Sequence, residues 1–178
     1  MKNLCLLVVC LLCYVLPSKA NNLTIGATTY SSSNQTLTFT VAWDNSWSIS
    51  SGPSNWDAVW IFVKRQNCTG NNNWVHQLLS TTSSDHLAQT GGSTSTVVAV
   101  NAVSDGMGVF VRRIGSNVVG SVAAQTITLK IAATNPSITT SNSDNFEVVG
   151  VEMVYVPQGQ FYIGDGRASN TNNFSAGS

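Results

Sequence analysis

Short segments in which apolar and polar residues alternate recur along this chain, and they limit the folds that it can adopt. Leu37, Phe39, Val41 and Trp43 alternate with threonine and alanine, which is the period of a half-buried β-strand. Residues 58–64 (AVWIFVK) are apolar on both faces, as in a central strand that is covered on both sides. Further strands are predicted over residues 74–79, 96–103, 108–114 and 126–132. About seven strands at this spacing, without helical periodicity, predict an all-β fold: an immunoglobulin-like or fibronectin-like β-sandwich.

The N-terminus has the layout of a secretory signal peptide, which we assign to residues 1–20. Lys2 supplies a positive charge, residues 4–16 form an apolar run, and residues 18–20 (SKA) are a small-x-small cleavage site. The apolar run is shorter than the roughly 20 residues that cross a bilayer as a helix. We therefore expect an exported protein, secreted or at the cell surface, with no transmembrane segment once the signal is removed.

Cysteine usage constrains how the sandwich is held together. Three of the four cysteines lie within the predicted signal peptide, so Cys68 is the only thiol of the processed chain. A single thiol forms no intramolecular disulfide, even in the oxidising compartments that export leads to. The sandwich is therefore predicted to lack the disulfide of antibody domains and to depend on its apolar core.

Charge is sparse and balanced along the chain. Eight lysine and arginine residues oppose eight aspartate and glutamate residues, and charged residues make up 9% of the sequence. Nucleic-acid binding needs clustered basic side chains, and the adjacent pair Arg112 and Arg113 points to opposite faces of a strand. The composition therefore argues against a nucleic-acid partner, and we expect a protein or a glycan at the cell surface.

All five tryptophans lie between positions 43 and 74, several of them beside Asp or Asn. Exposed indole rings can stack on sugars while nearby carboxylates and amides bind the hydroxyls, so Trp47, Trp56 and Asp57 are candidate ligand-contact residues. Alternatively, a core without disulfides needs large apolar side chains, which would bury Trp43, Trp56 and Trp60. Both interpretations stay open for Trp56, whereas Trp47 lies in a turn-like segment that favours exposure.

Motifs that carry catalysis or bind metals do not occur in the sequence. His76 and His86 have no HxH or HExxH partner, and no glycine-rich phosphate loop is present. The aspartates form no calcium loop, and no serine lies in a G-x-S-x-G elbow. We therefore predict no catalytic, cofactor-binding or metal-ligating residue and no cofactor.

Residues 151–166 read VEMVYVPQGQFYIGDG and combine an apolar run, a Pro-x-Gly turn, an aromatic residue and a glycine. This segment resembles the start of the formylglycine-generating enzyme family, also called the sulfatase-modifying factor family. The matching positions are Glu152, Met153, Val154, Pro157, Gly159, Phe161 and Gly164. Ile163 stands where the family often has methionine. We assign residues 21–147 to the sandwich predicted from the strand pattern, and the resemblance implies that residues 148–178 are the truncated start of a second domain.

The resemblance transfers no catalytic or metal residue to this sequence, because the family's cysteine pair and calcium ligands come later in the chain. The layout of signal peptide, sandwich and family-like segment resembles exported proteins of Bacteroidetes-type bacteria. The leading hypothesis is a non-catalytic interaction or spacer module at the cell surface. The alternatives are a carbohydrate-binding module that uses Trp/Asp/Asn loops, and the front end of a formylglycine-generating oxidase whose catalytic part lies outside this sequence.

Overall fold

The computed structural model describes residues 21–52, 54–68, 72–91, 96–132 and 144–155. These residues form strands joined by turns, with one short 3-10 helix at Ser83–Asp85, so the prediction of an all-β fold is confirmed. The strands are β1 (Thr24–Ile25), β2 (Thr29–Ser31), β3 (Thr36–Ile49), β4 (Asn55–Asn67), β5 (Trp74–Gln77), β6 (Leu87–Thr90), β7 (Val98–Ala102), β8 (Val109–Arg113), β9 (Val118–Lys130) and β10 (Asp144–Tyr155).

The predicted signal peptide, residues 1–20, lies outside the described residues. Within the part of the chain that the structure describes, no helix is long and apolar enough to cross a membrane.

The strands belong to one hydrogen-bonded sheet that folds over onto itself. Its main path runs β6-β9-β3-β4-β8-β7, and the two end strands, β6 and β7, come into contact, so the sheet is almost closed. β1 and β2 pair with β3, while β5 and β10 pair with β4. The two halves of the sheet thus face each other across one core. A closer likeness to immunoglobulin or fibronectin domains stays a prediction.

The core consists of the inward-facing residues of the long strands. In β3, Leu37, Phe39, Val41 and Trp43 are at most 2% exposed, which confirms the alternation predicted from the sequence. The other strands and the nearby loops add Val59, Ile61, Val63, Leu79, Val98, Val100, Val109, Val111, Val122, Ile127, Leu129 and Ile131. Burying a side chain of this size contributes about 1.5–3 kcal/mol. Cys68 is free and exposed, so this core stabilises the described fold without a contribution from that thiol.

β4 runs through the middle of the sheet, as predicted. β10 lies along one of its edges, and β3, β8 and β5 follow one another along the other. Val59, Ile61 and Val63 face the core and are fully buried, whereas Trp60 and Phe62 on the other face are half-buried. The prediction that β4 is covered on both faces is therefore wrong, because the described chain places no second layer over this face.

β3 continues through residues 45–48, where the sequence suggests a turn. The strand ends at Ile49, and its register against β9 shifts between Trp43 and Ser46. Asn45 takes a left-handed conformation there, with φ of 56°, which asparagine tolerates better than most residues. Such bulges bend a strand. Beyond the bulge the end of β3 stays paired with β9 as far as Ser48, and Ser48 and Ile49 also pair with the beginning of β4 on the other side.

β10 extends the sheet past the predicted end of the sandwich. Asp144–Tyr155 pairs with β4 along its whole length, and Phe146 packs against the core. The predicted boundary between residues 147 and 148 falls inside this strand. Residues 151–155 of the family-like segment form its exposed end, while residues 156–178 lie outside the described part of the chain. The division into two domains stays a prediction.

Candidate functional site

One face of the sheet around β4 carries large apolar side chains that point away from the core. Residues directly opposite each other on paired strands share a face, and β10 and β8 lie along opposite edges of β4. The register therefore groups side chains from three strands on one surface, which we call the outer face. They are Trp56, Ala58 and Trp60 of β4, Phe110 and Arg112 of β8, and Val151, Met153 and Tyr155 of β10.

A groove of about 350 Å³ opens on the outer face. Ala58 lies at its centre, because its small side chain leaves a gap between Met153 on one neighbouring strand and Arg112 on the other. We call this feature the Ala58 groove. Its volume is near the lower end for ligand sites and suits one or two large side chains. It is lined by Trp56, Ala58, Asn101, Phe110, Arg112, Met153, Val154 and Tyr155.

The indole of Trp56 is enclosed between two neighbours at one end of the groove. Its ring stacks on Tyr155, with centroids 3.9 Å apart and an interplanar angle of 11°. The guanidinium carbon of Arg112 lies 5.9 Å from the ring centroid, within the range of a cation–π contact. Because β10 and β8 flank β4 on opposite sides, these two side chains approach Trp56 from opposite sides. Its edge, and not a free face, is therefore what a ligand would meet.

Arg112 brings a positive charge to a groove whose other described lining residues are uncharged. Its Nε donates a hydrogen bond of 3.0 Å to Oδ1 of Asn101 on the neighbouring strand β7. Within the described residues, its two Nη atoms have no hydrogen bond and no ion pair. The neighbouring Arg113 points the other way, as predicted, and donates to the carbonyl oxygens of Gly120 and Ser121 at 2.9 and 2.8 Å.

Asp57, one of the predicted ligand-contact residues, lies in the interior and is 3% exposed. Its carboxylate accepts hydrogen bonds from Nε1 of Trp43 at 2.5 Å, from Oγ of Ser46 at 2.9 Å and from the backbone N of Trp47 at 2.9 Å. These donors all come from the bulged part of β3. The carboxylate is therefore engaged in holding β3 against β4.

The structure brings two of the three predicted residues together and separates the third. Trp47 lies beside Asp57 and is half-buried, with its Nε1 donating to Oδ1 of Asn55 at 2.7 Å. Trp56 is the next residue of β4 after Asn55 and faces the opposite side, since successive residues alternate. Of the three, Trp56 alone lines the Ala58 groove. The prediction that core packing would bury Trp56 and Trp60 is wrong, because both lie half-buried on the outer face.

Most of the groove-lining residues were not predicted as site residues. Phe110 and Arg112 fall in a predicted strand, where alternation assigns them to one face, but nothing local shows which strand lies beside them. Met153 and Tyr155 fall in the family-like segment, and their contact with β4 depends on pairing across about 100 residues of chain.

The histidines lie apart from the groove. His76 Nε2 is 2.8 Å from the backbone oxygen of Met107, and its ring stacks with Phe62. His86 is buried between the backbone of Ser80 and that of Lys130. Among the residues that the structure describes, no group of three or more His, Cys, Asp and Glu is arranged to hold a metal ion.

A second cavity, of about 380 Å³, lies where β2 meets β10. Its lining includes Tyr30 and Asp144, and Arg65 donates to Asp144 at 3.0 Å. Burial raises the pKa of the Tyr30 hydroxyl, and the negative charge of Asp144 acts in the same direction. The ion pair between Asp144 at this cavity and Arg65 thus fastens β10 to β4.

The fold and the groove describe the class of protein to which this chain belongs. It is an all-β domain with an apolar groove on the outer face of its sheet and one arginine at the side of that groove. Comparison of this chain with protein-family models, with curated proteins and with solved structures found no match. The function must therefore be inferred from the groove itself.

Proposed function

We propose that this chain is a non-catalytic interaction module of an exported protein and that the Ala58 groove is its binding site. The observation that carries the proposal is the exposure of the outer face, where Val151, Met153 and Tyr155 are each 44% exposed. A sheet face turned to water usually carries polar side chains, and contiguous exposed apolar surface marks interaction sites. The groove gives a partner's apolar side chain a place to be buried.

The outer face also favours an interaction module over a simple spacer. A spacer needs only a stable fold, and the core of this domain supplies one. Exposed apolar side chains on an edge strand make a protein prone to aggregation, so their presence is more easily explained by a binding role.

Export, and a position in front of a sulfatase-modifying-factor-like domain, are part of the proposal. Export is supported by the signal-like residues 1–20, and the second feature by the family-like residues 151–166. Met153, Val154 and Tyr155 of the family-like segment belong to β10 and line the groove, so the described part of that segment contributes to the proposed site. If the parent protein is instead a formylglycine-generating oxidase, sequence beyond Ser178 will contain the family's late cysteine pair.

The test is a substitution that fills the groove without adding charge. Ala58→Leu places a larger apolar side chain at the groove's centre, and Ala123→Leu at an exposed position of β9 is the matched control. Peptides are selected from a phage-displayed library on the full chain and measured against both variants. We expect affinity to fall at least about tenfold for Ala58→Leu, since the buried ligand side chain loses its site, and to be unchanged for the control.

A second substitution at the groove keeps the test decisive if Ala58→Leu does not fold. Tyr155→Ala opens the groove instead of filling it and lies at the exposed end of an edge strand. Thermal unfolding of each variant tests whether the fold is retained. Selected peptides that bind both groove variants as tightly as the unaltered chain would show that the binding site lies elsewhere.

A carbohydrate ligand is the second candidate, favoured by the hydrogen-bonding groups of Asn101 and Arg112 beside aromatic rings. Two observations weigh against the version based on Trp47, Trp56 and Asp57. The ring of Trp56 has a neighbour on each side, and Asp57 is buried on the other face of β4. Glycan-array binding that disappears in Ala58→Leu would favour a sugar in the groove, whereas binding that disappears in Trp47→Ala but survives in Ala58→Leu would favour the version based on Trp47.

A further inference from the structure

We infer that the Ala58 groove binds an acidic peptide segment of a protein partner, in which an apolar side chain lies two residues away from a carboxylate. This inference rests on the proposed function, because it assigns a ligand class to the same groove. The apolar side chain occupies the space above Ala58, and the carboxylate pairs with the guanidinium of Arg112.

Charge complementarity points to the carboxylate. Among the residues that the structure describes, Arg112 is the one charged residue that lines the groove. The acidic residues nearest to the groove along the strands, Asp57 and Glu152, belong to the opposite face of β4 and β10. In the described chain the guanidinium has no acidic partner of its own, so an anionic ligand would supply the missing counterion.

The geometry of Arg112 favours a planar anion. Its Nε is already bonded to Asn101, which leaves the edge formed by Nη1 and Nη2 to make two parallel hydrogen bonds. The contact with Trp56 and the bond to Asn101 restrain the side chain before any ligand arrives. Such preorganisation reduces the entropy that is lost on binding.

The spacing of the two subsites fits an extended peptide. Ala58 and Arg112 are directly opposite each other on paired strands, so their Cβ atoms are about 5 Å apart. In an extended peptide, residues i and i+2 point the same way and lie about 7 Å apart. The long arginine side chain spans the difference, which predicts a Leu-x-Asp type of spacing.

The extent of the outer face favours a macromolecule over a small carboxylate. Apolar side chains continue past the groove, at Trp60 and Val151 on adjoining strands. A small ligand would leave this surface uncovered, whereas a peptide segment of a folded partner would cover it.

The experiment compares two blocked peptides that differ in one group: acetyl-Gly-Leu-Gly-Asp-Gly-amide and its Asn counterpart. Isothermal titration calorimetry on the full chain at low salt measures both. We expect the Asp peptide to bind about tenfold more tightly, as charge-assisted bidentate pairs do. In Arg112→Gln this preference disappears. Lys64→Gln is the matched control, because it removes the same charge from the same face away from the groove and keeps the preference.

Each of the other outcomes overturns the inference in a recognisable way. Equal binding of the two peptides would rule out carboxylate recognition while leaving the groove as a binding site. A preference that persists in Arg112→Gln would assign the recognition to another residue. Failure of both peptides to bind would overturn the ligand class, and the library selection with Ala58→Leu would still decide the proposed function separately.

Discussion

The indole Nε1 of Trp43 donates a hydrogen bond of 2.5 Å to Oδ2 of Asp57, and both residues lie in the interior with at most 3% of their surface exposed. The other oxygen of Asp57 accepts from Ser46 and Trp47. Buried polar groups normally have partners, and here one carboxylate satisfies three donors. This single side chain ties the bulged part of β3 to β4 and so connects the two halves of the sheet.

Asp57→Ala should lower the free energy of unfolding by about 3 kcal/mol or more, because it leaves three donors without their acceptor. Urea titration followed by tryptophan fluorescence measures the change. Asp105→Ala is the control, since Asp105 accepts one bond, from the backbone N of Met107 at 2.9 Å, in an exposed turn. A loss no larger for Asp57→Ala than for the control would contradict the structural role assigned to this carboxylate.

His86 should make stability depend on pH. Its Nδ1 accepts a bond from the backbone N of Lys130 at 3.1 Å, so the ring's proton is on Nε2, which donates to the oxygen of Ser80 at 2.9 Å. Burial lowers the pKa of His86 below its usual 6.5, although the bond to Ser80 and the charge of Asp85 act in the opposite direction. The unfolded chain therefore takes up the proton more readily than the folded one. The contribution of neutral His86 to the free energy of unfolding is fully present above pH 6.5. It is lost as the pH falls through the pKa that His86 has in the folded chain.

The measurement is the free energy of unfolding at about pH 7.5 and about pH 5.5, on either side of the usual histidine pKa. We expect a decrease at the lower pH for the unaltered chain and for His76→Gln, in which His86 is intact. In His86→Gln the decrease should be reduced, because the titrating group is gone. An equal decrease in all three proteins would assign it to other groups.

Gly108 should tolerate no side chain. A Cβ at this position would lie 2.5 Å from the backbone oxygen of Ile61 and 2.6 Å from the ring of Trp60. Gly108→Ala should therefore destabilise the fold by about 1–3 kcal/mol, as overpacking does. In the control Gly150→Ala, the new Cβ meets side-chain methyl groups and no backbone atom: Cδ1 of Ile25 at 2.6 Å, and Cδ1 of Ile61 and Cγ1 of Val59 at 3.2 Å. The loss should therefore be smaller. Thermal unfolding compares the two, and the reverse order would show that the backbone of β4 can move away from residue 108.

Arg65 and Asp144 form an ion pair of 3.0 Å, with side chains 10% and 3% exposed, at the start of β10. Asp144→Asn should destabilise the protein by about 3 kcal/mol, because it leaves a buried guanidinium without this carboxylate. Amide hydrogen exchange should speed up along β10 in particular. Glu147→Gln is the control: this exposed residue lies opposite Lys64, and surface pairs contribute about 0–1 kcal/mol. Unchanged exchange in β10 of Asp144→Asn would show that the pair does not fasten the strand.

The site was less predictable than the fold, as Trp56 illustrates. Its position beside Asp57 suggested a shared ligand contact, but neighbouring residues of a strand point to opposite faces, so only Trp56 reaches the groove. Its actual neighbours, Tyr155 and Arg112, come from β10 and β8. No local pattern identifies them. If either strand were shifted by two residues along β4, its side chains would still point to the same faces, but Trp56 would have different neighbours.

By itself, the sequence determined which residues face the core in a strand with clear apolar–polar alternation, such as β3. Leu37, Phe39 and Val41 are buried because side chains alternate between the two faces of an extended backbone, and because the burial of apolar side chains away from water is favourable in free energy. The tertiary structure alone decided the bend of β3 at Asn45 and the pairing of β4 with β10 and β8, and this pairing fixes the position of the groove. These features depend on contacts between residues far apart in the chain. Such contacts form, and contribute their free energy, only when the whole sheet is assembled.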